Sequence, residues 1–371
     1  MIHLVRQMFP SRDSAILDVG CGLGALLTRL HKQYGYRNLT GIDNLPPVNQ
    51  DTTNACWSYS ALSFIETEMQ RINGQTVKLA EMFPVYYAFI EKAKTFVATR
   101  GESRFKPGDL FTTVLEVIRT YGIVPMEVYR GQAVPRATYN HNQMEAEIET
   151  LKKQIIDENV WDETEVLALL QEILDRHLGP PPKTFTFRNK EYTPKSFAQE
   201  FVNLPWPEYI KVMSFSYAPF NTFAYFNVPD NWRKLDSYYN VPLDVFYQSM
   251  KEAIQNGYSI VFDGDIGEPG RIGKWDVCFI PDFDIPSAYI NQAAREYRFD
   301  KGVTRDDHLM HMIGYASIDG QDWFLVKDSW RDAWEGAYKG YFFYHGDYVK
   351  LKVLAYLVHK DAVPTLMRGM D

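Results

Sequence analysis

The chain predicts an α+β fold of two packed lobes, and three observations carry that expectation. Apolar residues recur at three and four apart through most of the first half, which is the period of helices. After Lys183 the pattern changes to short apolar runs punctuated by Gly, Asp and Asn, which is the pattern of strands. With 371 residues, 46% hydrophobic and 15% aromatic, the chain can bury one large or two modest cores. Helices first and strands later is the order of an α+β protein.

Residues 1–44 read as strand, glycine loop, helix and strand. A helix is expected over 56–72, with Leu62, Ile65, Met69 and Ile72 on one face behind Cys56. "LAEMFPVYYAFIEKAKTFVATRG" gives the next, ended by Gly101, and "DLFTTVLEVIRTYG" another, stopped at Gly122. From 144 to 178 the charged, periodic run closing at "GPPPK" reads as a helical hairpin. As a solvated excursion or a subunit contact it is assigned no chemistry. The strands expected afterwards are "TFTF", "YSIVFDG", "HLMHMIGYA", "DWFLVKDS", "GYFFYH" and "KLKVLAYLVH". No internal repeat or low-complexity tract interrupts them.

Charge and cysteine usage exclude several function classes. A net charge of −8 with no basic run argues against nucleic acid as a partner. No stretch reaches the apolar length that spans a bilayer, and the start "MIHLVRQMFPSRDSA" lacks an apolar leader core. The expected location is cytoplasmic, without a membrane partner. Cys21, Cys56 and Cys278 are too few and too scattered for a disulfide framework or a zinc site. Neither a metal nor a cofactor is expected.

Cys56 has the setting that a thiol nucleophile needs. It opens a helix, where the partial positive charge and free N–H groups favour a thiolate. Gln50, six residues earlier, can aim an amide N–H at the point faced by the Cys56 backbone N–H, forming an oxyanion hole. His308 begins one strand and Asp328 ends another, so adjacent antiparallel strands would pair them as base and orienter. Trp330 would shield that pair from water. His311, an odd number of residues from His308, should point to the opposite strand face. The remaining histidines read as surface or packing residues.

These blocks carry a family resemblance. "NQDTTNACWSYS" resembles the papain-type cysteine peptidases, with a glutamine, five residues and then Cys56-Trp57. "DHLMHMIGY" is similar to their histidine strand, with glycine six positions after the histidine, and "VKDSW" resembles their "KNSW" strand. "LSFIETEMQR", "YGIVPMEVY", "VPDNWRKLDSYYNVPLDVF" and "KGYFFYHGDYVKLKVLAYLVHKDAVP" are similar to the bleomycin hydrolase and aminopeptidase C branch, so the resemblance spans roughly 46–364. It implies a two-lobed papain-like fold over 46–371, with a helical insertion at about 144–178 and a separate fragment or arm at 1–45. It also implies Cys56 as nucleophile, His308 as general base and acid, Asp328 as orienter and Gln50 as oxyanion donor, on peptide substrates. Homo-oligomers occur in that branch. A C-terminal tail that enters the cleft to meet the substrate amine is expected from "PTLMRGMD" by analogy.

Two positions depart from the family pattern. Asp328 stands where asparagine is usual, and its carboxylate should raise the imidazolium pKa. Asn54 stands where a glycine is usual, two before Cys56, and could crowd the substrate backbone. An active peptidase and a weakened or inactive binding protein on the same scaffold therefore both remain open.

"ILDVGCGLGALLTRLHKQYGYRNLTGID" has a different logic. Gly20, Gly22 and Gly24 follow a strand, and Asp43 closes the next, which resembles motif I of the class I S-adenosylmethionine-dependent methyltransferases. A methyltransferase reading needs further alternating strand–helix units, and none follow. The segment reads as a fragment.

Overall fold

The computed structural model describes Ala15–Leu17, Asn38–Thr40 and residues 45–370. The first two are strands β1 (Ala15–Leu17) and β2 (Asn38–Thr40), paired in parallel. Gly20, Gly22, Gly24, Asp43 and Cys21 lie outside the described residues.

The helical lobe follows. It comprises α1 (Cys56–Asn73), α2 (Met82–Ala98), α3 (Phe111–Tyr121), α4 (Asn142–Asp157) and α5 (Glu163–Leu178). The residues from Cys56 to Met69 are all buried, so α1 has no solvent face until its last turn, where Ile72 emerges. Gly74 ends it in the left-handed conformation, φ 69°, and its N–H bonds the Gln70 carbonyl. Gly122 ends α3 at φ 89°, and a Cβ there would lie 2.1 Å from the Pro194 carbonyl carbon, so only glycine fits. The expected hairpin is α4 and α5. Its seam buries Met144, Ile148, Leu151 and Ile155 against Val166, Leu170 and Leu174, and α5 packs on α2. Asp162 caps α5 by accepting from the Glu165 N–H at 2.9 Å.

A small hairpin, β3 (Phe185–Phe187) with β4 (Lys190–Tyr192), leads into the sheet lobe. There β5 (Tyr209–Met213), β6 (Thr222–Ala224), β7 (Tyr238–Asn240), α6 (Leu243–Gln255), β8 (Ile260–Gly264), β9 (Arg271–Ile272) and β10 (Val277–Cys278) precede α7 (Gln292–Asp300). Then come β11 (His308–Ile318), β12 (Gln321–Lys327), β13 (Tyr341–His345), α8 (Gly346–Lys352), β14 (Val353–His359) and α9 (Pro364–Arg368). Ten of the strands form one mixed sheet, ordered β6-β7-β5-β14-β8-β11-β12-β13-β10-β9.

The sheet separates two cores with period-two alternation. Val261, Leu309, Ala355 and Leu357 face α1 and the helical lobe. Ile260, Phe262, Met310, Met312, Tyr356 and Val358 face α6 on the other side. α1 packs directly on β11, with Phe64 edge-on to both Tyr209 and His311. His311 is locked there by Ser63 Oγ at 2.9 Å from Nδ1 and is fully buried.

One turn positions the proposed base and its orienter. β11 and β12 form a hairpin through Asp319-Gly320, both with positive φ (50° and 78°), the chemistry of a two-residue type I′ turn. In its register His311 pairs Lys327, so the start of β11 and the residue after β12 meet at one end of the sheet. His308 and Asp328 are those two residues.

Candidate active site

The loop before α1 determines where Cys56 points. Gln50 N–H bonds the Ser329 carbonyl at 2.9 Å, and Asp51 accepts the Tyr139 N–H at 2.8 Å. Asp51 and Asn54 take left-handed φ values of 53° and 51°, which turn the chain sharply into the helix. Asn is the residue type other than glycine that best tolerates this region, which accounts for Asn54 at a usual glycine position. Its amide donates to both oxygens of Glu145 on α4, at 3.1 and 3.0 Å. Ala55 caps α1 without a side-chain hydrogen bond, and no acidic residue occupies the first turn. The helix start is thus open to a negative charge. Trp57 is buried and anchors the helix by donating from Nε1 to the Pro107 carbonyl at 3.2 Å.

His308 meets both of its expected partners. Nε2 lies 2.8 Å from Asp328 Oδ1, leaving Nδ1 as the ring nitrogen for Cys56, whose sulfur is near enough to act on the imidazole electrostatically. Trp330 packs edge-on to the imidazole, with centroids 6.0 Å apart, and its backbone N–H donates to Asp328 Oδ1 at 2.8 Å. Burial disfavours the imidazolium, but the Asp328 carboxylate and the Cys56 sulfur outweigh it and push the His308 pKa up to about 10. The rise that the carboxylate at 328 leads one to expect is present.

Asp328 is fully buried, and burial alone would raise its pKa. His308 and Arg271 reverse this and hold the carboxyl well below the usual range. Arg271 is the residue that sequence reasoning missed. Its Nη2 donates to Asp328 Oδ2 at 2.8 Å, its Nε and Nη2 clasp Asp332 at 2.8 and 2.6 Å, and its Nη1 reaches the Tyr344 hydroxyl at 2.9 Å. The guanidinium also stacks over Phe342 at 4.1 Å. No local motif marks it, 57 residues from Asp328. The only signal was physical: a buried carboxylate in place of an amide needs a counter-charge.

Gln50 is 1% exposed and lies at the cleft. The Ser329 hydroxyl donates to its Oε1 at 2.7 Å, which leaves the Nε2 amide as the group that can donate to a substrate oxygen. Ser329 too was missed, being legible only once β12 and the loop before α1 are seen together.

Comparisons with known proteins bear on the family and the fold. The chain matches the Peptidase C1-like family over residues 28–369. It belongs to that family. Aminopeptidase C of Lactobacillus delbrueckii subsp. lactis is 23% identical, over 87% of this chain and 81% of that protein. Aminopeptidase C of Listeria monocytogenes is 25% identical over 76% of this chain and 74% of its own length. The crystal structure of PepW from Lactobacillus rhamnosis HN001 superposes with a TM-score of 0.65 at 18% identity, covering 87% of this chain and 82% of that one, and supports the papain-like fold.

As a Peptidase C1-like protein the chain is a cysteine-type peptidase. Gln50, Asn54, Cys56, His308 and Trp330 line one open cleft of about 690 Å³, bordered by Asp230 and Asp306. Glu145 also lines it, so the hairpin that the sequence left without chemistry forms part of the wall. The expected entry of the C-terminal tail into the cleft needs correction. α9 packs on α6 instead, with Thr365 Oγ1 donating to Glu252 at 2.7 Å and Leu366 buried in the outer core. No residue of 364–370 lines the cleft. Tail residues that are apolar enough to dock on a helix face find that surface on the far side of the sheet. Of the other histidines, His345 and His359 are capping residues, accepting from the N–H groups of Asp347 and Asp361. No helix of the described residues is long and apolar enough to cross a membrane.

Proposed function

We propose that this peptidase releases residues from the amino ends of peptides, with Cys56 as nucleophile, His308 as proton carrier, Asp328 as orienter and Gln50 as oxyanion donor. The observation that carries the reading is the bond from His308 Nε2 to Asp328 Oδ1 at 2.8 Å, with Nδ1 turned to a cysteine at a helix start. The thiolate attacks the peptide carbonyl, and the developing oxyanion lies between the Gln50 amide and the Cys56 N–H. The imidazolium delivers its proton to the leaving amine, and water then releases the acyl group with His308 acting as base. Asp328 keeps the ring in the orientation that serves both steps, and Trp330 shields their contact.

The amino-end preference is supported by the relatives, which bear the name Aminopeptidase C. Incubation with unblocked peptides should release single residues in sequence order from the amino end, read by mass spectrometry. Cys56→Ala should lower the rate at least ~10³-fold, since covalent catalysis is removed. Undiminished release by Cys56→Ala would refute the assignment.

A further inference from the structure

The two oxygens of Asp328 have separate partners. Oδ1 accepts from His308 Nε2 and from the Trp330 N–H, both at 2.8 Å, while Oδ2 accepts from Arg271 Nη2, also at 2.8 Å. Only Oδ1 meets the imidazole. Oδ2 meets a guanidinium whose side chain is 3% exposed and which is itself held from several sides. β9 pairs with β10, with Arg271 opposite Cys278, and β10 runs parallel to β13. That pairing sets the guanidinium 4.1 Å over the Phe342 ring and Nη1 2.9 Å from the Tyr344 hydroxyl, both on β13. On its other edge Nε and Nη2 grip the two oxygens of Asp332, in the turn that follows Trp330. β9 comes close to that turn because Gly273 has no side chain: a Cβ there would lie 2.6 Å from the Asp332 carbonyl oxygen. A planar fork fixed in this way presents Nη2 to Asp328 in one orientation.

We propose that Arg271 is a positioning residue of the active site, acting through Asp328 by fixing the plane of the carboxylate that orients His308. This role rests on the peptidase reading and deepens it. It makes residues 271 and 328 a matched pair. An amide at 328 keeps an acceptor for His308 and the Trp330 N–H, but it turns its own N–H donors toward Nη2, so donor meets donor. A carboxylate at 328 without the guanidinium keeps its shape and leaves a buried negative charge with one cation fewer. Either change alone should harm the site, and the two together should harm it less.

The pair also has a signature in pH. His308 and Arg271 are the cations that hold Asp328 low. Burial pushes the Cys278 thiol and the Tyr344 hydroxyl up and keeps both neutral, and it keeps His311 neutral as well. Lys327 donates to the Leu45 carbonyl at 3.0 Å. Lys78 and Glu81, which line the same small pocket as Asp328, pair with each other at 2.6 Å. Arg271→Met therefore leaves Asp328 with a proton up to higher pH, whereas an asparagine has none to retain.

A double-mutant cycle on the full chain tests the pairing, with Arg271→Met, Asp328→Asn and both together beside the unmodified protein. Hydrolysis of a leucyl-coumarin amide gives kcat and KM, and a thiol-directed epoxide gives the labelling rate of Cys56 without a substrate. Each single variant should lower kcat and the labelling rate about tenfold or more with KM changed less than about threefold, and the double variant should regain at least about fivefold over Asp328→Asn. In Arg271→Met the acid limb of kcat/KM should move up by about one pH unit, and in the double variant it should return. Lost packing alone lowers rates without moving that limb. Circular dichroism monitors folding, and if Arg271→Met does not fold, the double variant against Asp328→Asn decides. A double variant no faster than Asp328→Asn, an acid limb that stays in place in Arg271→Met, or absent labelling of Cys56 in all four proteins would overturn the proposal. Reciprocal rescue of labelling, with no hydrolysis by the unmodified protein, would instead count against the peptidase reading alone.

Discussion

Asp328 carries a negative charge into a site with no solvent, and two cations meet it there. His308 bonds one oxygen and Arg271 the other. Removing the charge has a definite sign. Asp328 is a main cause of the raised His308 pKa, so Asp328→Asn should move the alkaline limb of kcat/KM from near 10 toward lower pH. Stability follows by linkage. The folded-state pKa of His308 is raised above its ordinary 6.5, so its contribution is complete below about 6.5 and is lost as pH rises toward 10. The Asp328 pKa is depressed below 3.8, so its contribution is present above that value and is lost as pH falls further. The variant should therefore fall furthest behind between about pH 4 and 6.5, by about 3 kcal/mol, because Arg271 keeps Asp332. Urea unfolding across pH, with Arg271→Met added to recover part of the loss, checks both signs. Cys56, His308, Asp328 and Gln50 were legible because each stands in a local pattern with fixed spacing. Arg271 and Ser329 were not, since their meaning comes only from partners far away in sequence.

Among the elements, the long periodic helices and the central strands were the legible ones. α1 to α5 and strands β8, β11, β12, β13 and β14 stand where the apolar periods and the Gly stops place them. Ile72 shows the limit of reading a face from spacing. It continues the stripe of Leu62, Ile65 and Met69 yet is 38% exposed, because the last turn of α1 runs past the sheet. β9 and β10 have only two residues each, too short for any period, and β9 supplies Arg271. The α4–α5 hairpin was seen, but not its reach to the cleft, because Glu145 looks like any other charge on a solvated helix. Its seam is well packed, and Leu170 is fully buried. Leu170→Ala should destabilise the protein by about 2–5 kcal/mol, measured by chemical denaturation. A change under about 0.5 kcal/mol would mean that the hairpin unfolds independently of the rest.

At the scale of the whole molecule, the site exists because two regions more than 250 residues apart close on one another: the start of α1 in the helical lobe and the end of the β11–β12 hairpin in the sheet lobe. The α+β class and the two lobes follow from the order of patterns along the chain, whereas the docking of the tail does not. Its apolar residues suit any exposed groove, and the structure assigns them to α6. Removing residues 367–371 should leave the cleavage pattern on peptides unchanged, and a switch to internal cleavage would show that the tail governs the cleft after all. The most direct measurement is covalent: mass-spectrometric mapping after reaction with a thiol-directed epoxide. The protein should be labelled at Cys56, with the rate falling at least ~10²-fold in His308→Ala, as loss of the ion-pair partner demands. An unlabelled Cys56, or one whose labelling ignores His308, would contradict the account.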